Sequence, residues 1–179
     1  MQQKIVITGG PGTGKSTVIN ELERRGFECM PEISRQIILE SKKKGIDQLF
    51  LEDPLLFSEL LLKGRIQQFI DANNSTSDIF FFDRGIPDIH SYMDYTNTKY
   101  PLNYTESCHK HKYHKVFLMP PWKTIYTSDN ERYESYDESL KIYEFIKNGY
   151  LNLNYELIEV PFGTVNFRTD FILEAIQIK

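Results

Sequence analysis

The chain is poor in cysteine: only Cys29 and Cys108 occur among its 179 residues. Cys29 falls in a predicted strand, and Cys108 falls in a predicted polar loop. So small a number excludes a disulfide framework and favours a reducing, cytoplasmic compartment. Long apolar runs are also missing, because none approaches the about 18 residues that cross a bilayer. No basic and apolar leader precedes the first predicted strand, so we expect neither a signal peptide nor a membrane span.

An excess of positive charge is absent as well. Lysine and arginine number 21 against 25 aspartate and glutamate residues, which gives a net charge of −4. Nucleic acids and anionic membrane surfaces attract a basic face, so this balance argues against both as partners. Apolar residues make up 40% of the chain and charged residues 26%, as in globular proteins. Since no repeat or linker interrupts the pattern, we expect a single domain over residues 1–179.

Predicted strands and helices alternate along the chain, which is typical of an α/β fold with a parallel sheet covered on both faces. Apolar runs predict strands at residues 4–8, 28–30, 79–82, 116–119 and 155–160. Amphipathic patterns and capping signals predict helices at residues 14–25, 32–44, 54–74, from 87 onward, 137–148 and 164–176. The polar stretch 97–112 is predicted to be a surface loop.

Residues 9–17 read GGPGTGKST, and this stretch is the most informative in the chain. It fits GxxxxGKS/T, the phosphate-binding P-loop, between an apolar strand and an amphipathic helix. Glycines let the backbone turn its amides inward around an anion at the positive end of that helix. We expect Lys15 to reach the β- and γ-phosphates and the Ser16 hydroxyl to bind Mg²⁺. The residues predicted to hold the nucleotide are Gly10, Pro11, Gly12, Thr13, Gly14, Lys15, Ser16 and Thr17.

Asp83 follows the apolar run at residues 80–82, at the carboxyl end of a buried strand. In a doubly wound sheet this position lies beside the phosphate loop. The carboxylate is therefore predicted to bind Mg²⁺ or to accept a proton from an attacking hydroxyl, and the alternative is a cap on the next turn. The planar fork of Arg84 suits a phosphate or carboxylate of the substrate, or else a structural ion pair.

Glu32 and Arg35 come just after the second predicted strand, three positions apart. Small P-loop kinases bind their acceptor substrate at this place, so both residues are predicted to contact the substrate. The alternative is a surface ion pair within one helix turn, which contributes only tenths of a kcal/mol. Arg65 and Gln67, on the long predicted helix, are weaker candidates for the same cleft.

A polar segment at residues 122–136 follows Pro120 and Pro121. Small nucleotide kinases carry a mobile lid after the fourth strand, and this lid supplies an arginine to the transferring phosphoryl group. Arg132 is the predicted lid arginine and the third predicted catalytic residue, with Lys15 and Asp83. An ordinary charged surface loop is the alternative.

Several segments together resemble one known family: PGTGKST at 11–17, PEISRQII at 31–38, FFFDRG at 80–85, the stretch from Trp122 to Arg132, and NGY at 148–150. They are similar to the NadR/translocation-defect-type AAA family over nearly the whole chain. The resemblance implies a P-loop fold like that of nucleoside and nucleotide kinases, with a five-stranded parallel sheet in the order 2-3-1-4-5. The NadR-type domain phosphorylates ribosylnicotinamide, and other members are known only as ATP- or GTP-binding proteins. The Asp83–Arg84 pair also resembles the acid-arginine pair of thymidylate and deoxynucleoside kinases.

These features favour Mg²⁺-dependent transfer of the ATP γ-phosphoryl group to a small, nucleoside-like acceptor. The alternative is a nucleotide-binding switch, an ATPase or GTPase that acts on a protein or lipid partner. The segment TKYP at 98–101 approaches the guanine-reading pattern N/T-K-x-D but lacks its aspartate. ATP is therefore the expected nucleotide, GTP stays open, and the identity of the acceptor is not predicted.

Overall fold

The computed structural model describes residues 2–126 and 134–177. The strands in these residues are β1 (Gln3–Thr8), β2 (Glu28–Met30), β3 (Ile79–Asp83), β4 (Lys115–Leu118) and β5 (Leu157–Glu159). They pair in parallel in one five-stranded sheet of order β2-β3-β1-β4-β5. This order confirms the one that the family resemblance implied. Because β1 is the central strand, the loop that follows it leaves the middle of the sheet.

Helices connect the strands along the described chain. They are α1 (Lys15–Arg24), α2 (Ser34–Lys43), α3 (Leu49–Glu52), α4 (Pro54–Asn74), α5 (Pro87–Tyr95), α6 (Asn103–Lys110), α7 (Tyr136–Asn152) and α8 (Val165–Ala175). Among the helices of the described residues, none has both the length and the apolar character needed to cross a bilayer.

Two apolar cores cover the two faces of the sheet. Val6 of β1 and Phe82 of β3 pack with apolar residues of α4, α5 and α7. Ile7 and Phe81 point to the other face and pack with apolar residues of α1 and α8. Successive residues of a strand face opposite sides, so burial on both faces explains why these strands are apolar without interruption.

The register of the strands brings the predicted site residues to one edge. Ile7 of β1 pairs with Asp83 of β3, and Thr8 of β1 pairs with Leu118 of β4. The phosphate loop begins at Gly9, directly after this paired region. The loop, Asp83 and the segment after β4 therefore share the carboxyl edge of the sheet, where ligands bind in open α/β sheets.

Capping signals set several helix boundaries as the sequence predicted. The Asp53 side chain accepts the amide of Leu56 at 2.9 Å at the start of α4, and Thr164 accepts the amide of Phe167 at 3.2 Å at the start of α8. Gly26, two residues after the end of α1, takes a φ of +90°, a conformation that glycine adopts readily.

The prediction of a loop at 97–112 was wrong, because α6 lies within it. Tyr104 and Cys108, four positions apart, are buried on one face of this helix, so Cys108 belongs to the core rather than to a polar loop. The predicted end of α7 before Gly149 was also wrong, and the helix continues to Asn152. Gly149 permits close packing of α7 on α5, since a Cβ there would lie 2.2 Å from the Ser91 hydroxyl. The short helix α3 was not predicted.

Candidate active site

The lysine of the phosphate loop is buried against the backbone of the loop itself. Gly12 and Gly14 adopt the left-handed region, with φ of +72° and +80°. Lys15, the first residue of α1, is buried, and its ammonium lies 2.9 and 2.8 Å from the carbonyl oxygens of Gly9 and Gly10. Burial, together with the nearby Arg84 charge, lowers the pKa of Lys15 to about 7. The lysine is thus held at the loop by contacts that a phosphate can replace.

Ser16 and Thr17 follow in the first turn of α1, and both are exposed. The Thr17 hydroxyl donates a 2.8 Å hydrogen bond to the Gly14 carbonyl. Ser16 lies in the first turn of the helix beside the loop, and its predicted role in binding Mg²⁺ stays a prediction.

Asp83 ends β3 and is buried, with 7% of its surface exposed. Its Oδ1 has no hydrogen-bond partner within residues 2–126 and 134–177. Burial raises the pKa of this carboxyl, and the opposing charge of Lys15 offsets part of the rise. A buried carboxylate oxygen without a partner costs free energy, so this atom is suited to a ligand, either a cation or a proton donor.

Glu32 joins two arginines from different elements. Its carboxylate lies 2.7 Å from Nε of Arg84 and 3.2 Å from the guanidinium of Arg65, and it accepts the Ser34 amide at 3.1 Å. Burial alone would raise the pKa of Glu32, but these partners outweigh it and hold the pKa at about 2. The helix α2 begins at Ser34, two residues later than predicted, and the amide of Ser34 is the one that bonds to Glu32.

Arg84 connects this ion pair to the phosphate loop. Its guanidinium donates to the Gly9 carbonyl at 3.0 Å and lies 3.3 Å from the Asp88 carboxylate. The residue has a φ of +73°, the left-handed region that costs an L-residue with a side chain roughly 1–2 kcal/mol. Strained backbone of this kind is concentrated at functional sites. We call Glu32, Arg65, Arg84 and Asp88 the ion cluster.

Asp88, which the sequence analysis did not single out, fixes the geometry of the turn. It is 1% exposed, and it accepts hydrogen bonds from the Thr8 hydroxyl, the Gly85 amide at 2.8 Å and the Tyr150 hydroxyl at 2.6 Å. These bonds connect β1, the turn after β3, and α7. In the sequence, only its place in the first turn of a helix marked Asp88. Its side-chain partners, Thr8 and Tyr150, are distant along the chain.

The other predicted substrate residues have different environments. Arg65 of α4 is buried in the ion cluster and also donates to the Gly85 carbonyl at 2.7 Å. Arg35 is exposed on α2. Gln67 is exposed and bonds to Asp71 on its own helix. The structure thus brings Glu32, Arg65 and Arg84 together beside Asp83 and leaves Arg35 and Gln67 at the surface.

The predicted lid is described only at its two ends. Arg132, the predicted lid arginine, lies outside the described residues. At the first end, the ring of Tyr126 packs on Gly12 of the phosphate loop, where an added Cβ would lie 2.4 Å from the ring. The Tyr126 hydroxyl donates to the Glu134 carbonyl, so both ends of the segment meet next to the phosphate loop.

A phosphate loop after the central strand, with an acidic strand end beside it, defines a P-loop nucleotide-binding protein with a kinase-like fold. A family model described as an AAA domain matches residues 4–168, so the chain belongs to this AAA-domain family.

Solved structures with the same architecture include the NadR protein and a deoxyadenosine kinase. The NadR protein in complex with NR superposes with a TM-score of 0.77 at 14% identity, over 99% of this chain and 52% of that one. Deoxyadenosine kinase from M. mycoides superposes with a TM-score of 0.71 at 16% identity, over 97% of this chain and 98% of that one. At such identities the likeness shows the fold.

A curated relative is a nucleotide-binding protein of Pseudomonas savastanoi pv. phaseolicola. It is 24% identical over 108 residues, which cover 55% of this chain. The match covers 38% of that relative's own length.

Proposed function

We propose that this protein is a Mg²⁺-dependent phosphotransferase that moves the γ-phosphoryl group of ATP to a hydroxyl of a small, nucleoside-like acceptor. The observation that carries the proposal is the connection between two sites at one sheet edge. Arg84 bonds both to the Gly9 carbonyl of the phosphate loop and to Glu32 of the ion cluster. Asp83 precedes it, and one oxygen of Asp83 has no hydrogen-bond partner among the described residues.

The donor half of the reaction is assigned to the phosphate loop. Its amides and Lys15 would bind the triphosphate, and Lys15 would neutralise charge that develops during transfer. The residues present fit Mg²⁺, a cation that prefers oxygen ligands: Ser16 is exposed at the loop, and Asp83 Oδ1 has no hydrogen-bond partner in the part of the chain that the structure describes. The ion would supply electrostatic stabilisation of the phosphate oxygens.

The acceptor half is assigned to Asp83 and the ion cluster. Two roles are open to Asp83, binding Mg²⁺ and accepting the acceptor's proton, and both require its ionised carboxylate. Glu32 is a poorer proton acceptor than Asp83, because its pKa is held at about 2 whereas burial raises the pKa of Asp83. Glu32 is therefore assigned to orienting Arg84 and Arg65.

The charge balance of the ion cluster supports an uncharged acceptor. Its two guanidiniums, on Arg65 and Arg84, are matched by the carboxylates of Glu32 and Asp88. A phosphorylated acceptor needs cations that are not already paired, because desolvating a phosphate without them is costly. A nucleoside offers hydroxyl and base groups that hydrogen-bond to a balanced cluster.

The test is a screen for acceptors that accelerate ADP release. The protein is incubated with MgATP alone and then with nucleosides, ribosylnicotinamide or nucleoside monophosphates. A kinase consumes ATP much faster with the correct acceptor, and we expect that acceptor to be among the unphosphorylated compounds. Slow ATP or GTP hydrolysis that no small acceptor changes would instead support a regulatory switch. In the same assay, Asp83→Asn tests the role of the Asp83 carboxylate. Asp78→Asn, at an exposed position just before β3, is its control.

A further inference from the structure

Arg168 of α8 is buried directly behind the phosphate loop. It is 2% exposed, and its guanidinium donates a 2.9 Å hydrogen bond to the Thr13 carbonyl. A Cβ added to Gly14 would lie 2.7 Å from the same guanidinium. The arginine therefore contacts two consecutive residues of the loop, from the side of α1 and α8, away from the ion cluster.

The charge of Arg168 has no carboxylate partner among the described residues, unlike that of Arg65 or Arg84. Its Nε is buried without a hydrogen-bond partner in the same part of the chain. Burial lowers the pKa of the Arg168 guanidinium, and no acidic group counters that effect. A buried, unmatched cation is costly in the free protein, and an anion bound nearby offsets that cost.

Arg168 also contacts the tryptophan of the predicted lid segment. Its guanidinium carbon lies 5.7 Å from the centre of the Trp122 ring, and Trp122 packs against Phe162 with ring centres 5.1 Å apart. Trp122 is the sole tryptophan of the chain. Its fluorescence therefore reports on the surroundings of Arg168 without interference from another tryptophan.

We propose that Arg168 is a positioning residue for the phosphate loop and that the triphosphate of the bound nucleotide is its counter-charge. It acts through the Thr13–Gly14 backbone, which it holds in place, and through its charge behind the loop. The inference rests on the nucleotide-binding part of the proposed function and is independent of the acceptor. It predicts that binding of phosphate alone, with no base present, changes the environment of Trp122.

The test compares Arg168→Gln with Arg168→Lys in calorimetric titrations with magnesium tripolyphosphate and with MgATP. Glutamine carries no charge and is too short to reach the Thr13 carbonyl, whereas lysine keeps the charge and loses the planar fork. We expect the glutamine variant to bind both ligands about 10-fold or more weakly, by similar factors, and the lysine variant to lose less. Asp170→Asn, which breaks the ion pair between Asp170 and Arg25 on the same helix pair, should bind both ligands as the native protein does.

Trp122 emission provides a second readout in the native protein. Tripolyphosphate should change it, and the change should shrink in Arg168→Gln. The proposal is overturned if Arg168→Gln melts and binds tripolyphosphate as the native protein does. It is also overturned if calorimetry detects tripolyphosphate binding to the native protein while Trp122 emission stays constant, a measurement that needs no variant to fold. Either result leaves the phosphotransferase proposal intact, because neither experiment involves an acceptor or turnover.

Discussion

Nε of Arg84 lies 2.7 Å from Oε2 of Glu32, and this pair joins the turn after β3 to the segment after β2. The same guanidinium reaches the phosphate loop at Gly9. Three loops that follow three neighbouring strands are thus connected by one side chain. A single residue therefore connects the loop at Gly9 to Glu32, and in the proposed phosphotransferase it would couple nucleotide binding to acceptor binding.

The pH dependence of stability should reveal the ion pairs of Glu32. Its folded-state pKa is about 2 against an ordinary value of 4.5, so ionised Glu32 stabilises the fold above pH 4.5. This contribution is lost as the pH falls towards 2 and amounts to about 3 kcal/mol, since the side chain is only 17% exposed. Urea unfolding at several pH values should show that the free energy of unfolding falls less steeply with decreasing pH in Glu32→Gln than in the native protein. The control is Glu40→Gln, an exposed change on α2, which should keep the native pH dependence. If Glu32→Gln also keeps the native pH dependence, the ion pairs assigned to Glu32 are contradicted.

The left-handed backbone of Arg84 gives a second prediction. Glycine adopts a φ of +73° without the steric cost that a Cβ imposes. Arg84→Gly should therefore be more stable than Arg84→Ala by about 1 kcal/mol in urea unfolding. Both variants should lose acceptor-stimulated turnover, because both lack the guanidinium. An alanine variant as stable as the glycine variant would show that this conformation carries no strain.

Lys15→Ala should leave the fold intact and abolish nucleotide use. The ammonium bonds to carbonyls of its own loop, and alanine favours the helix that begins there. We expect a melting temperature within a few degrees of the native value and a loss of roughly 10²-fold or more in ATP turnover. Lys63→Ala, on the surface of α4, is the matched control. Native turnover by a folded Lys15→Ala protein contradicts the P-loop assignment.

Arg132 remains a prediction from the sequence. An arginine that contacts the phosphoryl group only in the transition state raises kcat without strengthening ground-state binding. Arg132→Ala should therefore lower kcat more than nucleotide affinity, by at most the roughly 10³–10⁵ that dedicated arginine fingers contribute. Arg132→Lys should restore activity only in part. Arg24→Ala, on the surface of α1, is the control. Full kcat in Arg132→Ala would contradict the role of residues 122–136 as a lid and favour an ordinary surface loop.

The sequence predicted those parts of the site that depend on local pattern. Residues 79–82 are apolar because β3 is an interior strand buried on both faces, and the charged residue at its end lies at the sheet edge. The glycines and lysine of the phosphate loop are adjacent in sequence, so their spacing alone identified them. Glu32 lies near this edge, as its position after the second strand predicted, and its contact with a substrate stays a prediction.

The partners of these residues could not be predicted, because they are distant along the chain. Arg65 is 33 positions from Glu32, Tyr150 is 62 from Asp88, and Arg168 is 155 from Thr13. An isolated arginine on an amphipathic helix has the same local pattern whether it is solvated or buried. Only the packing of α4, α7 and α8 on the sheet brings these side chains to the loops.

The most direct test of the phosphotransferase proposal follows the γ-phosphoryl group itself. ATP with a radiolabelled γ-phosphate is mixed with the protein and the acceptor found in the screen, and the label is measured on the acceptor and in free phosphate. We expect the label on the acceptor with the native protein and with Asp78→Asn. Asp83→Asn should bind MgATP but transfer label at least about 10²-fold more slowly. Label that appears only in free phosphate, or equal transfer by Asp83→Asn, contradicts the account.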